Sequence, residues 1–344
     1  MIEIIHELKT DQFEFQDQIL REMMTISEDT SRLKNDFEFC LLADADHFVY
    51  WLDVPRNERI NDVVLHAVPL NIAELLKNKL FNNLDTAIFT SATLAVDKNF
   101  NYFIKRSGLS LIENKNVRTK VLGSPFDFEN QLHLGVADFL PDPRDNGYAV
   151  ALQETIGKIH EQHRVGILVL FTNYSLLNLM YERMKPYFDG ERILLLAQGK
   201  SGSRTNIINQ FRENKDSVLF GTDSFWEGVD VPGNALELLF IPKLPFDVPT
   251  DPLISARMDE IKKQGGNPFF DYSVPEAIIK FRQGFGRLIR SKSDTGVVIV
   301  GDNRLSKMQY GKQFLNSLPV DAEIYKTKEQ MLSTLQDWFS KTLD

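Results

Sequence analysis

The segment Gln283-Gly284-Phe285-Gly286-Arg287-Leu288-Ile289-Arg290 concentrates polar donors at a helical spacing. On a helix Gln283, Arg287 and Arg290 stand four and three residues apart, so they share one face while Ile279 and Leu288 turn inward. Two guanidinium groups on one edge suit an anion, because the planar fork stays charged and can clamp phosphate oxygens in pairs. Gly284 and Gly286 let another surface come close. From Ala277 to Ser293 there are five basic residues and no acid. A solvated helix face carrying incidental arginines is the plainer reading of the segment taken alone.

A second segment, Gly221-Thr222-Asp223-Ser224-Phe225-Trp226-Glu227-Gly228-Val229-Asp230, follows the apolar run Val218-Leu219-Phe220. A loop at the carboxyl end of a parallel strand is where ligand sites form in open α/β sheets. Thr222 and Ser224 can donate to phosphate, and Glu227 and Asp230 can accept from a sugar hydroxyl or a neighbouring arginine. A glycine-containing turn with helix caps fits the same residues. Two weaker pieces, Ser91-Ala92-Thr93 and Phe171-Thr172-Asn173-Tyr174-Ser175, also follow apolar runs, and ordinary helix caps explain each of them.

Positioning these loops requires strands and helices in alternation. Apolar runs at 165–171, 193–197, 217–221, 236–241 and 296–301 predict strands, and amphipathic stretches at 174–187, 203–214, 252–263, 275–290 and 305–317 predict helices. Strands apolar throughout, separated by helices, imply a mainly parallel sheet covered on both faces, a three-layer α/β domain. Upstream the texture is mixed. A helix is expected over 11–36, strands at 48–52 and 63–65, a short strand at 87–90, and a helix over 97–108 ended by its glycine. Residues 138–148, with two prolines, predict a surface connection.

The 344 residues allow one or two domains, and 43% hydrophobic with 25% charged residues is the composition of a soluble globular chain. No apolar run approaches the roughly 20 residues that cross a bilayer. The acidic opening Met1-Ile2-Glu3-Ile4-Ile5-His6-Glu7 lacks the basic start of a secretory signal, so the expected compartment is the cytoplasm. A single cysteine, Cys40, cannot supply a disulfide framework or the four thiolates of an iron–sulfur cluster. A net charge of −9 requires any nucleic-acid site to be a local basic track.

The order of the four segments changes their meaning. Together they resemble the closing motifs of superfamily 2 helicases, in particular the DinG/XPD branch. Thr90 to Thr93 is similar to motif III, Phe171 to Ser175 to motif IV, Gly221 to Asp230 to motif V, and Gln283 to Arg290 to motif VI. Leu244-Pro245-Phe246, Asp251-Pro252 and Tyr272 also resemble this branch, and the likeness covers about residues 60 to 305. It implies a RecA-like domain whose Arg287 and Arg290 act as arginine fingers. Gln283, Glu227, Gly228, Asp230 and Gly286 are then expected beside the nucleotide. Thr172, Asn173, Arg204, Thr222 and Ser224 are expected on single-stranded DNA, and Ser91, Ala92 and Thr93 in coupling.

ATP with Mg²⁺ is the cofactor the resemblance implies, yet neither a Gly-x-x-x-x-Gly-Lys-Ser/Thr loop nor a magnesium-binding acidic box is found. Gly199-Lys200-Ser201 lacks the first loop glycine. Asp44-Ala45-Asp46-His47 has alanine where a catalytic glutamate belongs, and a strand-to-strand loop is expected there. In the resembling family both features lie in a first RecA-like domain, with a helical arch inserted before motif III. The chain is therefore expected to be the C-terminal motor portion of a longer enzyme, inactive alone as an ATPase, with no metal ligands of its own. Residues 1–94 are expected to form the arch remainder and motif III segment, and 95–344 the second RecA-like domain. An exonuclease domain or an iron–sulfur cluster, known in some relatives, would lie upstream. The rival readings are a degenerate helicase-like module that binds nucleic acid or a partner without turnover, and, more distantly, an α/β hydrolase or nucleotide-sugar enzyme. The latter lacks its nucleophile elbow or Gly-x-Gly-x-x-Gly turn.

Overall fold

Short, wholly apolar strands can only be satisfied when both faces are covered, and the sheet of this chain is built on that rule. The computed structural model describes residues 16–54, 63–96, 98–113, 116–226 and 235–341. Within them β3 (Leu132–Ala137), β4 (Ile167–Leu170), β5 (Leu195–Ala197), β6 (Val218–Gly221), β7 (Leu238–Ile241), β8 (Gly296–Val300) and β9 (Glu323–Tyr325) form a seven-stranded sheet in the order β5-β6-β4-β7-β8-β3-β9. Every pairing in it is parallel.

Alternation along β4 divides the core. Leu168 and Leu170 face one layer, and Ile167 and Val169, with Phe171 just beyond the strand, face the other. The second layer is formed by helices Tyr148–His163, Tyr174–Gly190 and Lys328–Lys341, which bury Ile156, Met180, Phe188 and Leu335. The first layer is formed by Arg204–Glu213 and Val274–Phe285, which bury Phe211, Ile278 and Phe281. Each fully buried Phe, Leu or Ile contributes about 1.5–3 kcal/mol relative to exposure. This is the mainly parallel three-layer α/β domain expected from the alternation, and the RecA-like fold that the resemblance implies.

The N-terminal portion is mixed, as expected. In chain order its elements are α1 (Gln16–Leu42), β1 (Phe48–Asp53), β2 (Val64–Pro69), α2 (Ala73–Lys79) and α3 (Asn101–Ser107). β1 and β2 pair antiparallel, with Trp51 stacked on its register partner His66 at 4.4 Å. Gly108, with φ 79°, ends α3, and a Cβ there would collide with the Ala73 backbone.

Several sequence expectations are corrected. Residues 87–90 form no strand, because no described strand lies alongside to pair with them, and Ile88 is 84% exposed. Helix 97–108 starts only at Asn101. The helix expected to 290 stops at Phe285. Two glycines lower its helical propensity by about 1 kcal/mol each. The Asp294 carboxylate also draws off the Arg290 and Ser291 N–H groups at 2.9 and 2.8 Å. The helix expected over 305–317 is two short ones, Arg304–Lys307 and Gly311–Asn316. Their backbones cross so closely that a Cβ on Gly311 would sit 2.0 Å from the Leu305 carbonyl oxygen. Asp44 to His47 lie between a helix and a strand, not between two strands. The reading of the sequence missed β3, Tyr148–His163, β9 and the last helix. Among the described residues no helix is long and apolar enough to cross a membrane.

The remaining elements are α4 (Phe128–Gln131), α5 (Tyr148–His163), α6 (Tyr174–Gly190), α7 (Arg204–Glu213), α8 (Asp223–Trp226), α9 (Pro252–Lys263), α10 (Val274–Phe285), α11 (Arg304–Lys307), α12 (Gly311–Asn316) and α13 (Lys328–Lys341).

Candidate functional site

The carboxyl ends of β4, β5 and β6 lie side by side and release three loops at one edge of the sheet. Thr172 and Asn173 follow β4; the Asn173 side-chain oxygen accepts from Leu176 N–H at 2.8 Å and caps α6. Gln198 follows β5 and bridges all three loops. Its side-chain oxygen accepts from the Thr222 N–H at 2.8 Å and the Thr222 hydroxyl at 3.0 Å. Its amide nitrogen donates to the Tyr174 hydroxyl at 2.5 Å and to Ser224 Oγ at 3.0 Å. An amide with both ends engaged is held in one orientation. Thr222 is consequently buried, with its hydroxyl turned to Gln198, while Asn173, Tyr174 and Arg204 are exposed and Thr172 and Ser224 half-buried. Arg204 opens α7 behind its Ser203 cap, its guanidinium 5.8 Å from the Phe225 ring centre.

Trp226 joins this edge to the arginine segment. Its indole is fully buried and donates to the Phe171 carbonyl at 2.9 Å. The ring packs against α10 where residue 284 has no side chain: a Cβ there would meet Trp226 Cζ3 at 2.6 Å. Gly286 is different, exposed and with nothing nearer than 3.4 Å, so close approach explains one glycine of the pair and not the other.

Because α10 ends early, Gln283 is on its last turn while Arg287 and Arg290 lie on the turn that follows. The single helical face expected for the three is replaced by a helix end and a loop. Arg287 donates from Nε at 3.0 Å and from Nη2 at 2.7 Å to the Trp226 carbonyl. Arg290 Nε donates to the Arg287 carbonyl at 3.3 Å. Burial pulls the Arg290 pKa below its usual value, against the upward pull of Asp294, and Arg212 adds to the lowering. Glu227, Gly228 and Asp230 lie outside the described residues.

The turn Ser91-Ala92-Thr93 is held by hydrogen bonds of its own. Thr93 N–H and Ser91 Oγ are 3.1 Å apart, as are the two hydroxyls. Arg282, one residue before Gln283, reaches it: Nη2 donates to the Ala92 carbonyl at 2.6 Å and Nη1 to the Ala95 carbonyl at 2.5 Å. Gln198 and Arg282 were both passed over in the sequence. Gln198 stands directly after an apolar run, as Thr172 and Thr222 do, and that position was the available signal. Lys200, of the Gly-Lys-Ser sequence, is engaged elsewhere, donating to Glu182 at 2.7 Å over the Tyr181 ring.

Comparison with known proteins adds to this geometry. Residues 156–321 match the family model described as a helicase C-terminal domain. The chain is 34% identical over 293 residues to the 3'-5' exonuclease DinG of Bacillus subtilis strain 168, which covers 84% of this chain and 31% of that protein. It is 41% identical over 255 residues to the ATP-dependent DNA helicase YoaA of Haemophilus influenzae, covering 74% of this chain and 38% of that one. A solved XPD helicase superposes with a TM-score of 0.59 at 16% identity, over 92% of this chain and 56% of the other. The chain thus spans between 31% and 38% of the length of these two curated relatives.

Proposed function

This chain is a DinG/XPD-like superfamily 2 helicase C-terminal part, and from that premise we propose that it serves as the second motor half of an ATP-dependent DNA helicase. Arg287 and Arg290 meet the phosphates of ATP held by a first RecA-like half. The observation that carries this reading is the arginine turn itself, with Arg287 clamped on the carbonyl of Trp226, the last residue of the short helix α8 that follows β6. Two guanidinium groups in sequence proximity fit a polyphosphate, and their planar forks match its oxygens. Magnesium ligands come from the other half in this reading. Bound ATP supplies the transferable phosphoryl group, whose spreading charge positioned arginines stabilise. Gln283, Gly286, Glu227, Gly228 and Asp230 border the nucleotide.

Thr172, Asn173, Ser224 and Arg204 line part of a single-strand track, with Thr222 supporting it from beneath through Gln198. Residues 1–94 act as the arch remainder with the coupling turn, and 95–344 as the second RecA-like domain.

The test uses the chain by itself. It should hydrolyse no ATP above background, and it should bind single-stranded DNA weakly, with affinity falling steeply as salt rises, since such contacts run through phosphates. Turnover that survives repurification and is abolished by a substitution in this chain would refute the first claim. Undetectable binding in dilute buffer, or binding indifferent to changing Thr222 and Arg204 together, would refute the second.

A further inference from the structure

We infer that Arg282 is a positioning residue that fastens the Ser91-Ala92-Thr93 turn to α10, so that the turn travels with the helix leading into the arginine turn. The inference rests on the functional reading above, within which that turn serves coupling.

α10 has two working faces. Ala277, Ile278, Phe281, Gly284 and Phe285 are buried against the sheet. Glu276, Ile279 and Arg282, spaced three apart and therefore stacked on another face, all engage the segment 92–106. Glu276 accepts from the Tyr102 hydroxyl and pairs with Arg106, both on α3. Ile279 lines an open apolar hollow of about 390 Å³ together with Thr93, Leu94 and Phe103. Arg282 completes the seam with its two terminal nitrogens on the carbonyls of Ala92 and Ala95.

Those carbonyls belong to a stretch without strand pairing among the described residues, so backbone acceptors that a sheet would satisfy are satisfied by one side chain. The match is specific to arginine. Two nitrogens held in one plane can serve two carbonyls three residues apart, and a single ammonium on a flexible stem cannot hold both in that geometry. Burial lowers the Arg282 pKa, yet a guanidinium remains charged at any working pH, so the clamp does not open with acidity. Its grip on backbone leaves the Ser91 and Ala92 side chains exposed on the outer side of the turn.

Arg282 also adjoins Gln283 and lies five residues before Arg287. A shift of α10 driven at the arginine turn therefore reaches the Ser91–Thr93 turn through one rigid helix. Losing the clamp should separate the two events that the helix joins, hydrolysis and strand movement.

Two experiments decide. Hydrogen exchange on this chain should show the amides of 92–96 exchanging at least about tenfold faster in Arg282→Met, with Arg282→Lys intermediate and Glu276→Gln loosening 101–107 instead. In a protein that joins this chain to a phosphate-loop motor half, Arg282→Met should retain DNA-stimulated ATPase within about threefold while base pairs opened per ATP fall about tenfold, a usual size for coupling between sites. Melting curves identify a variant that fails to fold, in which case Arg282→Lys is scored in its place. Unchanged exchange, unchanged unwinding per ATP, or ATPase lost as deeply as in Arg287→Ala would each overturn the inference. Normal turnover in Arg287→Ala would instead overturn the function proposed above, and the exchange result would still judge the clamp.

Discussion

Replacing Gly284 by alanine tests the joint between the arginine helix and the strand-end loops. The added methyl would lie 2.6 and 2.7 Å from Trp226 Cζ3 and Cε3 and 3.2 Å from Leu170 Cδ1. Carbon atoms rest at about 3.5–4.0 Å, so the indole must withdraw by roughly 1 Å. It has little room to do so, being fully buried and tied to the Phe171 carbonyl at 2.9 Å. Overpacking costs about 1–3 kcal/mol, and a strained or broken indole hydrogen bond adds about 1 kcal/mol. Better helix propensity returns at most about 1 kcal/mol. A net loss near 2 kcal/mol corresponds to a fall in melting temperature of about 4–8 °C for a domain of roughly 200 residues. Gly286→Ala is the control: φ is −66° and the nearest atom to an added Cβ is 3.4 Å away. It should shift stability by no more than about 0.5 kcal/mol, or raise it slightly. Thermal unfolding followed by circular dichroism reads both variants. Equal melting temperatures for Gly284→Ala and the parent chain, or equal losses in the two variants, would show that Trp226 does not seat against α10 as described.

Two further outcomes follow. Gln198→Glu preserves the acceptors for Thr222 but cannot donate to Tyr174 or Ser224 and brings a negative charge into the proposed single-strand track, so affinity for an oligothymidine should drop about tenfold or more at low salt. Fluorescence anisotropy measures this, and unchanged affinity in a folded variant would remove Gln198 from any role in the track. Burial holds His133, His160 and His163 below the ordinary histidine pKa, and His160 Nε2 lies 2.6 Å from the Asp216 carbonyl. The unfolded chain then binds more protons than the folded one, so stability is complete above about pH 6.5 and is lost as pH falls through that value. Melting temperatures between pH 5 and 8 should show this slope and a shallower one for His160→Gln; a protein that gains stability on acidification would contradict it.

Five of the seven strands of the central sheet were legible because they form apolar runs, a pattern that survives any detail of packing. Runs 165–171, 193–197, 217–221, 236–241 and 296–301 each contain a strand. β9, only three residues long, and β3, interrupted by His133 and Gly135, give too little signal to separate from loop. The end of α10 was misjudged because it depends on Asp294, a partner nine residues beyond the last helical one that no periodicity reveals. For the site, strand-end polar residues and the two arginines stand out by type and spacing. Their arrangement does not, since Thr222 is turned inward by a glutamine from another loop and Arg287 is aimed by a tryptophan carbonyl. Arg282 was hidden for the same reason: its partners are backbone oxygens 190 and 187 positions away, and backbone atoms carry no sequence signature.

The most direct measurement is steady-state DNA-stimulated ATPase in a protein joining this chain to a phosphate-loop motor half, comparing the parent with Arg287→Ala, Arg290→Ala and the double variant. A positioned arginine is typically worth about 10³ to 10⁵ in rate, so each single change should cripple turnover. Lysine at either position should rescue poorly, because a point charge cannot replace the fork. Changes at Gln283 and Asp230 should cost less. Circular dichroism should report folded proteins, and single-strand binding without ATP should stay within about twofold of the parent, since only phosphate contacts outside the arginine turn carry it. Near-normal turnover in the folded double variant would contradict the account.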